Sequence, residues 1–103
     1  MHLELDYYDV YFPNVFAPNR GGANSRFRIS GNQDLSEIRT LDIFDRWGQR
    51  VYSGVNELSN DSYGWDGIFQ GKLLEQGVYT YISTLEMDDG NLRQFSGTVL
   101  LLE

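Results

Sequence analysis

With 103 residues and no cysteine, the chain has room for one domain around one core, and it has no disulfide framework, thiolate metal site or cysteine nucleophile. Fifteen Asp and Glu against eight Lys and Arg give a net charge of -7, which opposes duplex binding because phosphate is repelled rather than its counterions released. No apolar run approaches the roughly 20 residues that span a bilayer, and Met1-His2-Leu3-Glu4-Leu5-Asp6 lacks the basic-then-apolar order of a signal peptide, so the chain reads as soluble, with any export signal carried by a parent protein.

Helical periodicity is nearly absent, whereas short runs of Tyr, Phe, Val, Ile and Thr recur between Gly, Asn and Asp clusters, the pattern of an all-β sandwich. The first predicted strand, 8–16, contains Pro13, which donates no ladder hydrogen bond; it is an edge strand or is split by a bend. Asn19-Arg20-Gly21-Gly22-Ala23-Asn24-Ser25 has the look of a calcium loop but lacks carboxylates, and Arg20 and Arg26 place positive charge where the ion would sit. It reads as a glycine-rich loop held by its own Asn side chains.

Strands are expected at 27–30 and 38–45, with a helical turn over 31–37 between them. In the second of these, Leu41 and Ile43 share one face and Asp42 and Phe44 the other, so Phe44 covers the outer face unless a bulge turns it inward. Trp47 ends the strand and Gly48 turns the chain, which suits an indole capping one end of the core, and Trp65 is read the same way. Arg46 and Asp66, each beside a tryptophan, are expected to pair, with the guanidinium stacked on an indole.

A strand at 50–53, a loop over 54–64 and a strand at 67–70 follow. Glu75-Gln76-Gly77-Val78-Tyr79-Thr80-Tyr81 opens the strand 78–87 in the manner of a tyrosine corner, in which a Tyr folds back to hydrogen-bond the chain. Tyr81 then occupies the place where antibody domains carry a cysteine. Asp88-Asp89-Gly90-Asn91 leads into the last strand, 92–101, and its Asp-Gly pair suits a tight primed turn.

Catalytic chemistry finds little support. His2 is the only histidine and lies at the end of the chain, leaving no base for a Ser-His-Asp arrangement. Asp42, Asp45 and Asp66 offer carboxylate pairs, but acid–base work needs a cleft that raises one pKa, which short strands do not advertise. Asp88-Asp89 and Asn60-Asp61 read as turn residues, and no phosphate-binding glycine loop is present, so neither metal nor cofactor is expected. A sugar-binding module stacking Tyr52, Tyr63 and Trp65 on glycans is the main alternative, and a passive spacer is a third.

Taken in order, the segments Pro13-Asn14-Val15-Phe16-Ala17-Pro18-Asn19, Phe27-Arg28-Ile29, Ile43-Phe44-Asp45-Arg46-Trp47-Gly48, Gly64-Trp65-Asp66-Gly67, Gly71-Lys72, Gly77-Val78-Tyr79-Thr80-Tyr81 and Phe95-Ser96-Gly97-Thr98-Val99 resemble the gliding motility-associated C-terminal domain, the type B sorting domain of the type IX secretion system. The resemblance runs over 11–101. It implies an immunoglobulin-like antiparallel sandwich of about seven strands that ends large exported proteins of Gram-negative bacteria, often adhesins. Such a domain is a non-catalytic tag, with the secretion machinery and its own N-terminal parent as partners, passing through the periplasm to the cell surface or the medium. Phe44, Arg46, Trp47, Gly48, Gly64, Trp65, Asp66, Gly67, Gly77, Tyr79, Tyr81, Phe95 and Gly97 match the family motifs, mostly as structural positions. The first loop departs from the family's Asn-Gly-Asp-Gly-x-Asn-Asp, losing both aspartates on which cation binding there would rest. Leu73 and Leu74 stand where proline is common and are read as a candidate partner contact.

Overall fold

The described residues form nine strands in chain order: β1 (Val10–Tyr11), β2 (Val15–Phe16), β3 (Ser30–Gly31), β4 (Leu35–Phe44), β5 (Arg50–Val55), β6 (Ile68–Phe69), β7 (Lys72–Leu73), β8 (Gly77–Met87) and β9 (Leu92–Leu101). They belong to a computed structural model that describes residues 10–31, 33–59 and 63–103. The long strands carry the period of 2 that a half-buried sheet requires. In β8, Tyr79, Tyr81, Ser83, Leu85 and Met87 are buried while Val78, Thr80 and Ile82 face out.

These strands form a five-stranded sheet of order β2-β9-β8-β4-β5. All its pairs are antiparallel except β2 and β9, where Val15 and Phe16 run parallel beside Leu100 and Leu101. A second layer is assembled from fragments: the β1–β3 pair, an isolated bridge between Phe27 and Trp65, and the β6–β7 hairpin. Rings join the two layers. Trp65 packs edge-on against Tyr79 at 5.2 Å and tilts against Phe16 at 5.4 Å, while Phe27 meets Tyr81 at 5.1 Å. Each such pair adds about 0.5–1.5 kcal/mol beyond the area it buries. The all-β fold is as the sequence implies, and it is consistent with a sandwich.

Several local expectations are corrected. Pro13 does split the first run, into β1 and β2, with residues 8–9 outside the described set. Instead of a helical turn over 31–37, Gly31 belongs to β3, residues 33–34 turn, and β4 begins at Leu35, because Leu35 is needed in the core and pairs with Met87. The 27–30 strand reduces to the Phe27 bridge and to β3. The hairpin after β8 is not a primed turn: Met87 N donates to Asn91 O at 2.9 Å across three residues, and only Gly90 has positive φ, at 86°. That is the three-residue hairpin with a glycine bulge, and Asp89 steadies it by accepting from Asn91 N at 2.9 Å. The two-residue turn with both φ positive instead joins β6 to β7, at Gln70 (53°) and Gly71 (81°).

The tyrosine corner is formed by Tyr79, whose hydroxyl donates to the carbonyl of Glu75 at 2.7 Å. Two residues on, Tyr81 lies over Gly97, its cross-strand neighbour; a Cβ at Gly97 would stand 2.6 Å from the Tyr81 hydroxyl. A ring roofing a strand glycine fixes register here without a disulfide. Tyr79→Phe is expected to lower stability by about 1 kcal/mol, the usual net worth of one such bond, in a urea titration of the purified domain. A midpoint equal to wild type would show that the corner bond does not hold the start of β8.

Candidate functional site

Because the inner face is filled by rings, any recognition chemistry lies on the outer face and the turns. The turn between β4 and β5 is rigid. Asp45 Oδ1 accepts from the backbone N of Trp47 and of Gln49, each at 2.9 Å, while Gly48 N donates to Asp45 O at 3.0 Å and Asp45 N to Gln49 O at 2.9 Å. This staple closes the chain directly after β4, so Trp47 stands at the tip, 83 % exposed. The expectation that Trp47 caps the core is thereby corrected: Trp65, fully buried with its Nε1–H donating to Ile68 O at 3.3 Å, fills that role alone.

The Trp47 indole lines a cleft of about 250 Å³ with Asp45, Arg46, Leu74, Glu75, Val78 and Tyr79. Val78 pairs with Leu100, and Leu100 with Val15; all three are exposed on the outward phase of their strands. An apolar row therefore crosses β8, β9 and β2 and runs into the Trp47 turn. The sequence alone did not join Val15, Val78 and Leu100 into one row, although the outward phase of β8 and β9 carries Val78, Ile82, Leu92 and Leu100 among the Thr, Ser and Gln of the same face.

The remaining motif positions scatter. Phe44 is half-buried on the outer face beside Thr80, at a register shift between Ile43 and Phe44. Arg46 and Asp66 do not pair: Arg46 lines the Trp47 cleft, whereas Asp66 lines another and accepts from Ile68 N at 3.1 Å within its own turn. Gly48, Gly64 and Gly67 occupy turns with positive φ, and Gly77 opens β8. Phe95 packs against Phe12 with ring centroids 5.2 Å apart. Leu73 and Leu74 diverge, Leu74 packing on the core and lining the Trp47 cleft while Leu73 lines the Asp66 cleft.

Nor do the rings expected to stack on sugars form a platform. Trp65 is buried, the Tyr52 hydroxyl donates to Glu57 Oε1 at 2.9 Å, and Tyr63 carries the Arg28 guanidinium 4.8 Å above its ring. Burial, and next the Glu57 carboxylate, pushes the Tyr52 phenol well above its usual range; burial and Glu75 raise Tyr79, and burial raises Tyr81. Phenols shifted this way stay protonated, and those of Tyr52 and Tyr79 act as hydrogen-bond donors in the packing.

The carboxylates considered for acid–base work are held apart. Asp45 and Asp66 bind turn amides in different clefts, and Asp42 lies 3.7 Å from Arg50. Among the described residues no three His, Cys, Asp or Glu gather into a group that would hold a cation. Backbone bonds and Ser25 hold the Gly21–Gly22 loop, with Ala17 N on Asn24 O at 2.7 Å and the Ser25 hydroxyl on Gly22 O at 2.8 Å, rather than the Asn side chains. No helix among the described residues is long and apolar enough to cross a membrane. No curated protein matches the chain. The family model described as the CHU_C type IX secretion signal domain matches residues 10–101.

Proposed function

The chain belongs to the CHU_C family of type IX secretion signal domains, and from that membership we propose that it is the non-catalytic C-terminal address label of a larger exported protein. The parent lies N-terminal to it and crosses the periplasm in transit. The label is read by the type IX machinery, which delivers the cargo, of the adhesin kind, to the cell surface or the medium of a gliding bacterium. The family match across residues 10–101 carries this reading. A domain whose core rings are engaged in packing and whose Asp45 and Asp66 carboxylates are engaged in turns, with Trp47 and an apolar row left on the outer face, suits recognition better than turnover. Leu73 and Leu74 belong to this proposal as partner contacts, Leu74 from within the Trp47 cleft.

Fusing the domain behind a periplasmic reporter in a type IX-competent strain tests it. The reporter is expected on the cell surface or in the medium, and a reporter lacking residues 10–101 is expected to stay in the periplasm. Equal delivery with and without the domain would end the assignment.

A further inference from the structure

An indole 83 % exposed on a turn locked by four hydrogen bonds within Asp45 to Gln49 contributes little to the core. Tryptophan is among the costliest residues to leave in water, and aromatic anchors of this kind dominate protein interfaces when they are held rigid before contact. The Val78–Leu100–Val15 row extends the apolar surface away from it across three strands. Beside the indole, the cleft carries the carboxylates of Asp45 and Glu75 against the single guanidinium of Arg46, on a chain whose net charge is -7.

We propose, resting on the secretion-signal reading, that the Trp47 turn and the Val78–Leu100–Val15 row are the docking surface for a protein of the type IX machinery, which stacks a Lys or Arg side chain on the indole between Asp45 and Glu75 and lays an apolar strip along the row. The charge of the cleft selects the cation. A side-chain cation over an indole with carboxylates on its flanks gains from both ring quadrupole and Coulomb attraction. The locked turn means that docking orders no loop, so the contact forms without the entropy loss that a mobile tryptophan would impose. The neutral Thr80 and Thr98 next to the row leave the apolar partner strip unopposed by charge.

The reporter fusion is the test, with domain-deleted, Trp47→Ala, Glu75→Lys and Leu100→Thr forms compared in one strain, and with the thermal midpoint of each purified domain measured beside delivery. Trp47→Ala is expected to reduce surface delivery by about tenfold or more at an unchanged midpoint, the loss typical of an interface anchor. Glu75→Lys is expected to reduce it by reversing the cleft's charge, and Leu100→Thr by breaking the row. A photo-crosslinker in place of Trp47 should capture a component of the machinery in living cells. If deleting the domain abolishes delivery while Trp47→Ala delivers like wild type, this surface is not the docking site, although the secretion-signal reading stands. A concentration-dependent dimer of the purified domain that Trp47→Ala dissolves would overturn the proposal in favour of a second copy, and binding of Trp47 to glycans would do so in favour of sugar.

Discussion

Trp65→Ala is expected to destabilise the domain by about 3–5 kcal/mol, a large share of the roughly 5–15 kcal/mol that holds a typical small domain together. The side chain is fully buried and reaches from the second layer to two strands of the five-stranded sheet: Tyr79 on β8 and Phe16 on β2 have ring centroids 5.2 and 5.4 Å from its own. Its backbone bridges Phe27, with Phe27 N on Trp65 O at 2.8 Å and Trp65 N on Phe27 O at 3.1 Å. The second layer is built of two-residue strands, so it has few ladder bonds with which to resist collapse into the cavity. With a urea dependence of about 1–3 kcal/mol per molar, the midpoint followed by far-UV circular dichroism should fall by about 1–5 M. Trp47→Ala provides the contrast, since an exposed side chain is expected to change stability by less than about 0.5 kcal/mol. Equal losses for the two tryptophans would mean that the burial difference does not govern this fold.

That contrast also marks how far sequence reaches. Both indoles adjoin glycine and lie within two residues of an expected strand, and composition alone assigns both to the core. What separates them is where the chain closes: the Asp45 carboxylate captures two amides immediately after β4 and pushes Trp47 past the end of the sheet, whereas Trp65 is drawn inward by its bridge to Phe27, a partner 38 residues away. Local chemistry that does not depend on distant partners was legible. The corner at Tyr79 and the hairpin at Gly90 were found because a Tyr near a strand start and an Asp-Gly pair act within a few residues, although the turn class of the hairpin was not fixed by that pair. The start of β4 was not legible, because Leu35 follows Asn and Asp residues that favour turns, and only its place opposite Met87 overrides them. The candidate surface was half legible: its tryptophan lies in a family motif, but the row beside it exists only once β2, β9 and β8 are laid in register.

Register also explains the second large effect expected, at a residue that no motif marks. Glu57 is only 6 % exposed, at the head of the 3-10 turn Glu57–Ser59 that follows β5. Its Oε1 accepts from the Tyr52 hydroxyl at 2.9 Å and from Gly64 N at 3.2 Å, and Oε2 lies 3.1 Å from the same hydroxyl. A second carboxylate, Glu37 on β4, grips the other end of the turn by accepting from Leu58 N at 2.7 Å and from the Ser59 hydroxyl at 3.0 Å. Glu57→Ala removes the acceptor of the buried Gly64 amide and strands the Tyr52 hydroxyl beside it; at about 1–3 kcal/mol for each orphaned group, the expected loss is about 2–6 kcal/mol. Glu57→Gln keeps an oxygen for Gly64 N and offers an amide to the Tyr52 oxygen, so it should lose about 1 kcal/mol. Tyr52→Phe combined with Glu57→Ala should cost less than the sum of the two single changes, because the second change no longer leaves a hydroxyl unpaired. The urea midpoints of these variants, with Tyr52→Phe alone beside them, decide the matter: if Glu57→Ala lies within about 0.5 kcal/mol of wild type, the carboxylate does not hold the loop. The effect is transmitted onward because Gly64 is bonded directly to Trp65, so the acid at the end of β5 sets the position from which the central indole enters the core.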